Sequence, residues 1–321
     1  MAGADHIAWL HHGARPARWR NLGLWRDGNG NGTSLDYATA CRALAQAVGE
    51  AAGLRAGDSV LSLGCGAGEE LALWAEGFGA TSVMALEKSP ALAAQARQRA
   101  EAVHTGCEID VYCADARRLA QLVRGRFDRI VCVDAAWHLG ARAPLLRAAR
   151  ARLFAGGTFA YTDLALENGA RGNAGWKRTA LRLGAGLSGF AGGRLLDQEA
   201  GLTRLRQAGF DEVHVARLDE AVLDGFCDFV ARQGRHIGLV ARHSVAWRRV
   251  ALAAWLMRAG RRAGLGYALY SGSVRALPPE MRNEAAADPA ANKPTPEPAE
   301  PAAGAAAART ALARRALPSR A

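Results

Sequence analysis

Glu87, Asp115 and Asp163 each end or closely follow a short apolar run, and His138 lies just past a fourth run that ends at Asp134. A carboxylate at the tip of a parallel strand, about 20 residues beyond a glycine loop, reaches the hydroxyls of a nucleoside ribose. Glu87 holds that position relative to Gly64, Gly66 and Gly68. An imidazole changes charge near neutral pH and takes a proton from a hydroxyl within hydrogen-bond reach. His138 is therefore the candidate general base, with Asp163, at the end of the adjacent run, as the carboxylate that orients its ring. The competing role for His138 is a loop histidine bonded to backbone, and for Asp115 it is a helix N-cap. His6, His11, His12, His214, His236 and His243 are expected to be structural or exposed.

Such residues act together only if the runs before them are strands of one sheet. Val60–Leu63 reads as a buried strand, broken by Gly64-Cys65-Gly66-Ala67-Gly68. The three glycines allow φ > 0 and leave no Cβ between backbone and ligand. Glu69–Glu76 (EELALWAE) is helix-forming, so the loop directs free N–H groups at whatever sits above it. A dinucleotide fold needs G-x-G-x-x-G. Here Glu69 occupies the third glycine's place, and its carboxylate would lie near the pyrophosphate, which argues against NAD or FAD. Apolar runs at 81–86, 107–113, 127–134, 209–216 and 266–270 predict further strands, and helical patterns at 34–52, 91–103, 145–153, 202–208 and 219–263 fall between them. Thr33 or Ser34 is the expected N-cap of the first helix, which Gly53 closes. In an open α/β sheet of this kind, ligands bind outside the carboxyl ends of the strands, at the switch point.

The glycine loop resembles the first motif of class I S-adenosylmethionine-dependent methyltransferases: an apolar pair, an acid, any residue, then G-x-G-x-G. Ser62 stands where that family usually has Asp or Glu, whose carboxylate helps to hold the methionine ammonium. Phe154-Ala155-Gly156-Gly157 resembles the family's L-x-P-G-G turn into the fifth strand, with Ala155 in place of Pro. Asn21-Leu22-Gly23-Leu24-Trp25 resembles the N-G-Y-W-type segment that closes over the cofactor in a small-molecule branch; an aromatic anchor for the arm is its competing role. The resemblance covers about residues 20–275 and implies a Rossmann-like α/β fold. That fold is a seven-stranded, mostly parallel sheet with helices on both faces, its last two strands forming a hairpin. The resemblance also implies S-adenosyl-L-methionine as cofactor. Its contacts fall on Gly64, Cys65, Gly66, Gly68, Glu87, Lys88, Asp115, Ala116, Val133 and Trp25, with Glu87 on the ribose and Asp115 on the adenine amino group. The pairing of His138 with Asp163 resembles that of some natural-product O-methyltransferases, which implies O-methylation of a small organic acceptor.

At 321 residues the chain accommodates one large domain of about 250 residues plus appendages. Residues 1–33 are expected to form an arm or lid, 34–277 the catalytic domain, 164–200 a Gly-rich substrate-covering insertion, and 278–321 a disordered Ala/Pro-rich tail. The net charge of +11 admits nucleic acid, an anionic membrane or an acidic substrate. Its arginines (Arg147, Arg150, Arg152; Arg248, Arg249; Arg261, Arg262) are spread through helical segments as a solvated face would have them. Base-amine methyltransferases with such a core typically carry Asp/Asn-Pro-Pro-aromatic after the fourth strand, whereas this chain has Asp134-Ala135-Ala136-Trp137. A nucleic-acid substrate is thus the weaker alternative. A third reading, prompted by Ser62 and the basic helix near 242–262, is a non-catalytic adenosyl-ligand or lipid-surface protein in peripheral contact with a membrane. The six cysteines form no C-x-x-C pair and sit near no His at metal spacing, so no metal is expected. With no signal peptide and no membrane-length apolar stretch, the expected location is the cytoplasm.

Overall fold

The computed structural model describes residues 19–26, 35–166 and 195–276. The tail from 278, most of the expected insertion at 164–200, most of the arm, and Thr33 and Ser34 lie outside the described residues. One sheet contains β1 (Ser59–Leu63), β2 (Ser82–Glu87), β3 (Glu108–Cys113), β4 (Phe127–Cys132), β5 (Leu153–Leu166), β6 (Leu196–Asp197), β7 (Glu212–Arg217) and β8 (Leu265–Ser273). Its main order is β3-β2-β1-β4-β5-β8-β7, with the two-residue β6 paired to the end of β5. Strands β1 to β5 run parallel, and β8 lies antiparallel to both β5 and β7. The order reverses beside β1, so the carboxyl ends of β1 and β4 flank the switch point.

The helices are α1 (Tyr37–Ala51), α2 (Glu69–Ala72), α3 (Pro90–Ala100), α4 (Leu119–Leu122), α5 (Arg142–Ala151), α6 (Gln198–Gln207), α7 (Gly225–His236), α8 (Leu239–Arg242) and α9 (Val245–Arg262). Two π turns, Leu73–Gly77 and Asp219–Asp224, respectively extend α2 and precede α7. Because strand side chains alternate between faces, two cores form. Val60, Val83, Ala85, Val131, Tyr267 and Leu269 bury against α1, α3, α7 and α9. Leu61, Leu63, Leu86, Ile130, Phe159 and Tyr270 bury on the other face against α4, α5 and α6.

Three expectations change. The first helix is capped by Asp36, whose carboxylate accepts from the Thr39 N–H at 3.0 Å and the Thr39 hydroxyl at 2.7 Å, which satisfies the orphan donors of the first turn. The last two long strands are antiparallel neighbours but form no hairpin: the chain between them runs through α7, α8 and α9, whose apolar faces cover the sheet. The region expected to be irregular from 164 begins as strand, since β5 continues to Leu166, and it ends at a capped helix. There Asp197 accepts from the Ala200 N–H at 2.8 Å.

Candidate active site

The glycine loop leaves β1 with Gly64, Gly66 and Gly68 at φ of 80°, 57° and 88°. Its first and last glycines are required by packing. A Cβ on Gly64 would lie 2.6 Å from the Ala135 Cβ, and one on Gly68 would lie 2.8 Å from the Ala96 Cα of α3. Gly66 differs, since a Cβ there would meet nothing nearer than the Arg20 Cδ at 3.7 Å. The open side of the loop is therefore at Gly66, and Gly68 faces α3 rather than the cavity. The Gly66 N–H donates to Glu87 Oε2 at 3.0 Å, and the Ser89 N–H donates to Oε1 at 2.8 Å. A carboxylate has about four acceptor positions, so Glu87, held at the tip of β2, retains capacity for further donors.

Above the loop lies an open cavity lined by Trp19, Arg20, Asn21, Gly64, Cys65, Gly66, Ala67, Glu69, Glu70, Val133 and Asp134. Of the cofactor residues expected from the sequence, Gly64, Cys65, Gly66 and Val133 line it. Glu70 and Asp134 were not anticipated there, nor were Trp19, Arg20 and Asn21. Glu70 on α2 is buried, and Ser62 Oγ donates to its Oε1 at 2.5 Å. Burial, then the neighbouring Glu87 and Asp134 charges, push its pKa to about 7 against the pull of the Ser62 hydrogen bond. Asp134, just past β4, is pushed to about 6 by burial although Tyr267, Leu22 and Thr162 all donate to it. It has φ of 52°, the single positive value on a non-glycine residue among those described. Strain of this kind collects at functional sites, and an acid at the end of β4 was the one sequence signal that pointed to Asp134.

Residues 19–26 form the rim because they are fastened to the domain at several points. The Leu22 N–H donates to Asp134 Oδ2 at 2.5 Å, the Tyr37 hydroxyl to the Asn21 carbonyl at 2.6 Å, and the Leu24 N–H to the Ala40 carbonyl at 2.8 Å. Trp25, expected at the cofactor, points away from it. Its ring is 2% exposed and stacks on Phe229 at 4.5 Å, and Gly225 leaves it room, since a Cβ there would lie 2.4 Å from the Trp25 Cβ. It is the aromatic anchor of the arm, and Trp19 to Asn21 meet the cavity in its place.

The region 60–157 matches the model of a Methyltransferase domain. Over 225 residues, 70% of this chain and 72% of the relative, the sequence is 27% identical to the erythromycin 3''-O-methyltransferase of Saccharopolyspora erythraea. Two solved structures share the fold. A putative sarcosine dimethylglycine methyltransferase from Galdieria sulphuraria has TM-score 0.63 and 14% identity, covering 84% of this chain and 97% of its own. An S-adenosylmethionine-dependent methyltransferase from Geobacter sulfurreducens, in complex with S-adenosyl-L-homocysteine, has TM-score 0.55 and 18% identity, covering 84% and 98%. The chain carries a Methyltransferase domain on the class I methyltransferase fold. The residues present fit S-adenosylmethionine. The Gly66 face is open where a Cβ would intrude, and the Arg20 Nε is buried on the cavity rim with no hydrogen-bond partner.

In this methyltransferase Asp115 caps the short turn Ala116–Arg118, with the Arg117 N–H at 3.0 Å. The Arg117 guanidinium, joined by Lys88 Nζ at 3.4 Å, holds the Asp115 carboxyl at about 2, so it stays ionised. Both lie at the β2–β3 edge, with Ala116 buried behind them. His138 ends the turn Ala136–His138 after β4, and its Nε2 accepts from Trp137 Nε1 at 2.8 Å. Surrounding protein, and then the Arg142 charge, hold its pKa below the usual histidine value. Asp163 is not the partner of that ring. Its carboxylate takes the Arg142 Nε at 2.5 Å and Nη2 at 2.8 Å, a two-point pair in which each side chain is nearly buried. Asp163 lies on the face of β5 that carries Tyr161, so the sheet's alternation turns it toward α5.

Proposed function

We propose that this methyltransferase methylates a hydroxyl of a small organic molecule, with His138 as general base. The observation that carries this reading is an exposed imidazole past the carboxyl end of β4, four residues beyond the cavity-lining Asp134 and biased toward its neutral form. The erythromycin O-methyltransferase relative supports the acceptor class. When bound, S-adenosylmethionine supplies an electrophilic methyl group on a sulfonium. The chain's own task is then to exclude water, align the acceptor and remove its proton; positioning supplies most of the acceleration, and base assistance contributes about 10²–10⁴-fold. His138 Nε2 receives the hydroxyl proton by exchanging the Trp137 N–H for the acceptor O–H. Glu87, with its spare acceptor capacity, takes the ribose hydroxyls, and Asp115 takes the adenine amino group.

The reading is tested by incubating the protein with labelled S-adenosylmethionine and a fractionated metabolite extract. A methyl-sized mass gain on a hydroxylated compound is expected. Label appearing on nucleic acid, or on nitrogen-only acceptors, would overturn it.

A second reading concerns where the enzyme works. The outward side of α9 presents Val245, Leu252, Trp255 and Leu256 exposed, interspersed with exposed Arg248, Arg249 and Arg262, and carries no acid. An apolar stripe flanked by arginines suits an anionic lipid surface. Sedimentation with anionic but not zwitterionic vesicles, reduced by Trp255→Ser, is the expected result; equal recovery with both vesicle types would contradict it.

A further inference from the structure

We propose that Glu70 replaces the acid missing at position 62 and, together with Arg20, holds the zwitterionic amino-acid end of the cofactor, Glu70 binding its ammonium and Arg20 its carboxylate. Position 62 lies two residues before the glycine loop and Glu70 two residues after it, and the fold brings the two side chains together. Ser62 Oγ donates to Glu70 Oε1 at 2.5 Å, so the carboxylate absent from the strand is delivered to the same place from the helix. A serine is short enough to admit Glu70, and its hydroxyl fixes the orientation of the carboxylate.

The cavity asks for a ligand of matching charge. Glu70 and Asp134 line it, both buried, and neither has a salt bridge to a cation among the described residues. Asp134 already accepts from the Leu22 N–H and the Tyr267 hydroxyl, whereas Glu70 has acceptor capacity left over. On the same rim the Arg20 Nε is a buried donor without a partner. An orphaned buried donor is costly and is normally explained by a missing group. A carboxylate wanting a cation and a guanidinium wanting an anion, in one cavity beside the open face of Gly66, complement an α-amino acid head group.

The groups facing Glu70 are Ser62 from β1, Cys65 from the loop, Trp74 from the π turn, Glu87 from β2, Cys132 from β4 and Asp134 just past it. Burial raises both thiols, leaving Glu70 and Asp134 as the groups pushed toward neutrality. Ligand ammonium binds the ionised form of Glu70, so affinity should increase as pH rises through about 7.

The test is calorimetric titration with S-adenosylhomocysteine and, in parallel, 5'-methylthioadenosine, which keeps the nucleoside and thioether but lacks the amino-acid end. Glu70→Gln should weaken S-adenosylhomocysteine binding by about 10–100-fold, flatten its rise with pH, and leave methylthioadenosine affinity unchanged. Arg20→Gln should show the same selectivity. Adding Ser62→Asp to the Glu70→Gln protein should restore binding of S-adenosylhomocysteine, and a retained melting transition checks that each variant folds. Unchanged S-adenosylhomocysteine affinity in Glu70→Gln, or equal loss for both ligands, would overturn the proposal. A wild-type protein that bound neither ligand would overturn the cofactor assignment along with it.

Discussion

An indole N–H pointed at Nε2 fixes the neutral tautomer of His138, leaving the proton on Nδ1. A donor to the lone pair also favours the neutral ring, so Trp137 and Arg142 act in the same direction on its pKa. If His138 is the base, His138→Ala lowers kcat by about 10²–10⁴-fold while S-adenosylhomocysteine affinity, measured by calorimetry, is nearly intact. The rate should rise with pH as the ring loses its proton, with the midpoint of the rise below the ordinary value of 6.5, because the pKa is lowered. Trp137→Phe removes the donor and should move that rise to higher pH. Asp163 behaves differently. Leaving Arg142 buried without its counter-charge costs about 3–5 kcal/mol, so Asp163→Asn should depress the melting temperature and leave the pH profile of the remaining activity in place. The type and spacing of Glu87 were legible in the sequence, whereas the orientation of Asp163 was not. Its partner, Arg142, is set by which face of β5 residue 163 occupies, and a strand slipped by one residue reverses that face.

At the level of elements, the three glycines of the loop separate into different duties that their spacing does not distinguish. All three have positive φ, so an alanine at any of them is strained. Only at Gly64 and Gly68 does an added Cβ also collide, with Ala135 and with the backbone of α3. Gly68→Ala should therefore lower the thermal midpoint more than Gly66→Ala, by an additional 1–3 kcal/mol or so, with differential scanning calorimetry as the measurement. The strands and the loop were legible because an apolar run that breaks into glycines is a local signal. The path from β7 to β8 was not, since two antiparallel neighbours can be joined by a tight turn or by three helices, and pairing itself is non-local. Trp25 illustrates the same gap: its segment carries a motif-like pattern, but the cavity for its ring is made by Gly225 and Phe229, some 200 residues away. Trp19, Arg20, Glu70 and Asp134 reach one cavity from three parts of the chain, which no window of sequence displays.

Across the whole molecule, two buried acids at the switch point tie stability to pH. Folded Glu70 keeps its proton to about 7 instead of 4.5, and folded Asp134 to about 6 instead of 3.8. Within those windows the unfolded chain is ionised while the folded one is not, so stability falls as pH rises and the loss is complete above the folded values. Glu70→Gln abolishes its share. The ligand-free variant should melt a few degrees above the wild type at pH 8, from on the order of 1–3 kcal/mol, and level with it near pH 4. Gaining stability by losing a cofactor contact is the expected trade at a site kept ready for a charged ligand. The central claim, that the loop from Gly64 to Gly68 and the carboxylate of Glu87 cradle S-adenosylmethionine, is tested most directly by calorimetric titration with S-adenosylhomocysteine and, separately, NADH. The wild type should bind the first and not the second. Gly66→Val should abolish that binding by filling the open face, and Glu87→Ala should weaken it by about 1–3 kcal/mol. Binding of NADH, or undiminished S-adenosylhomocysteine binding in Gly66→Val, would contradict it.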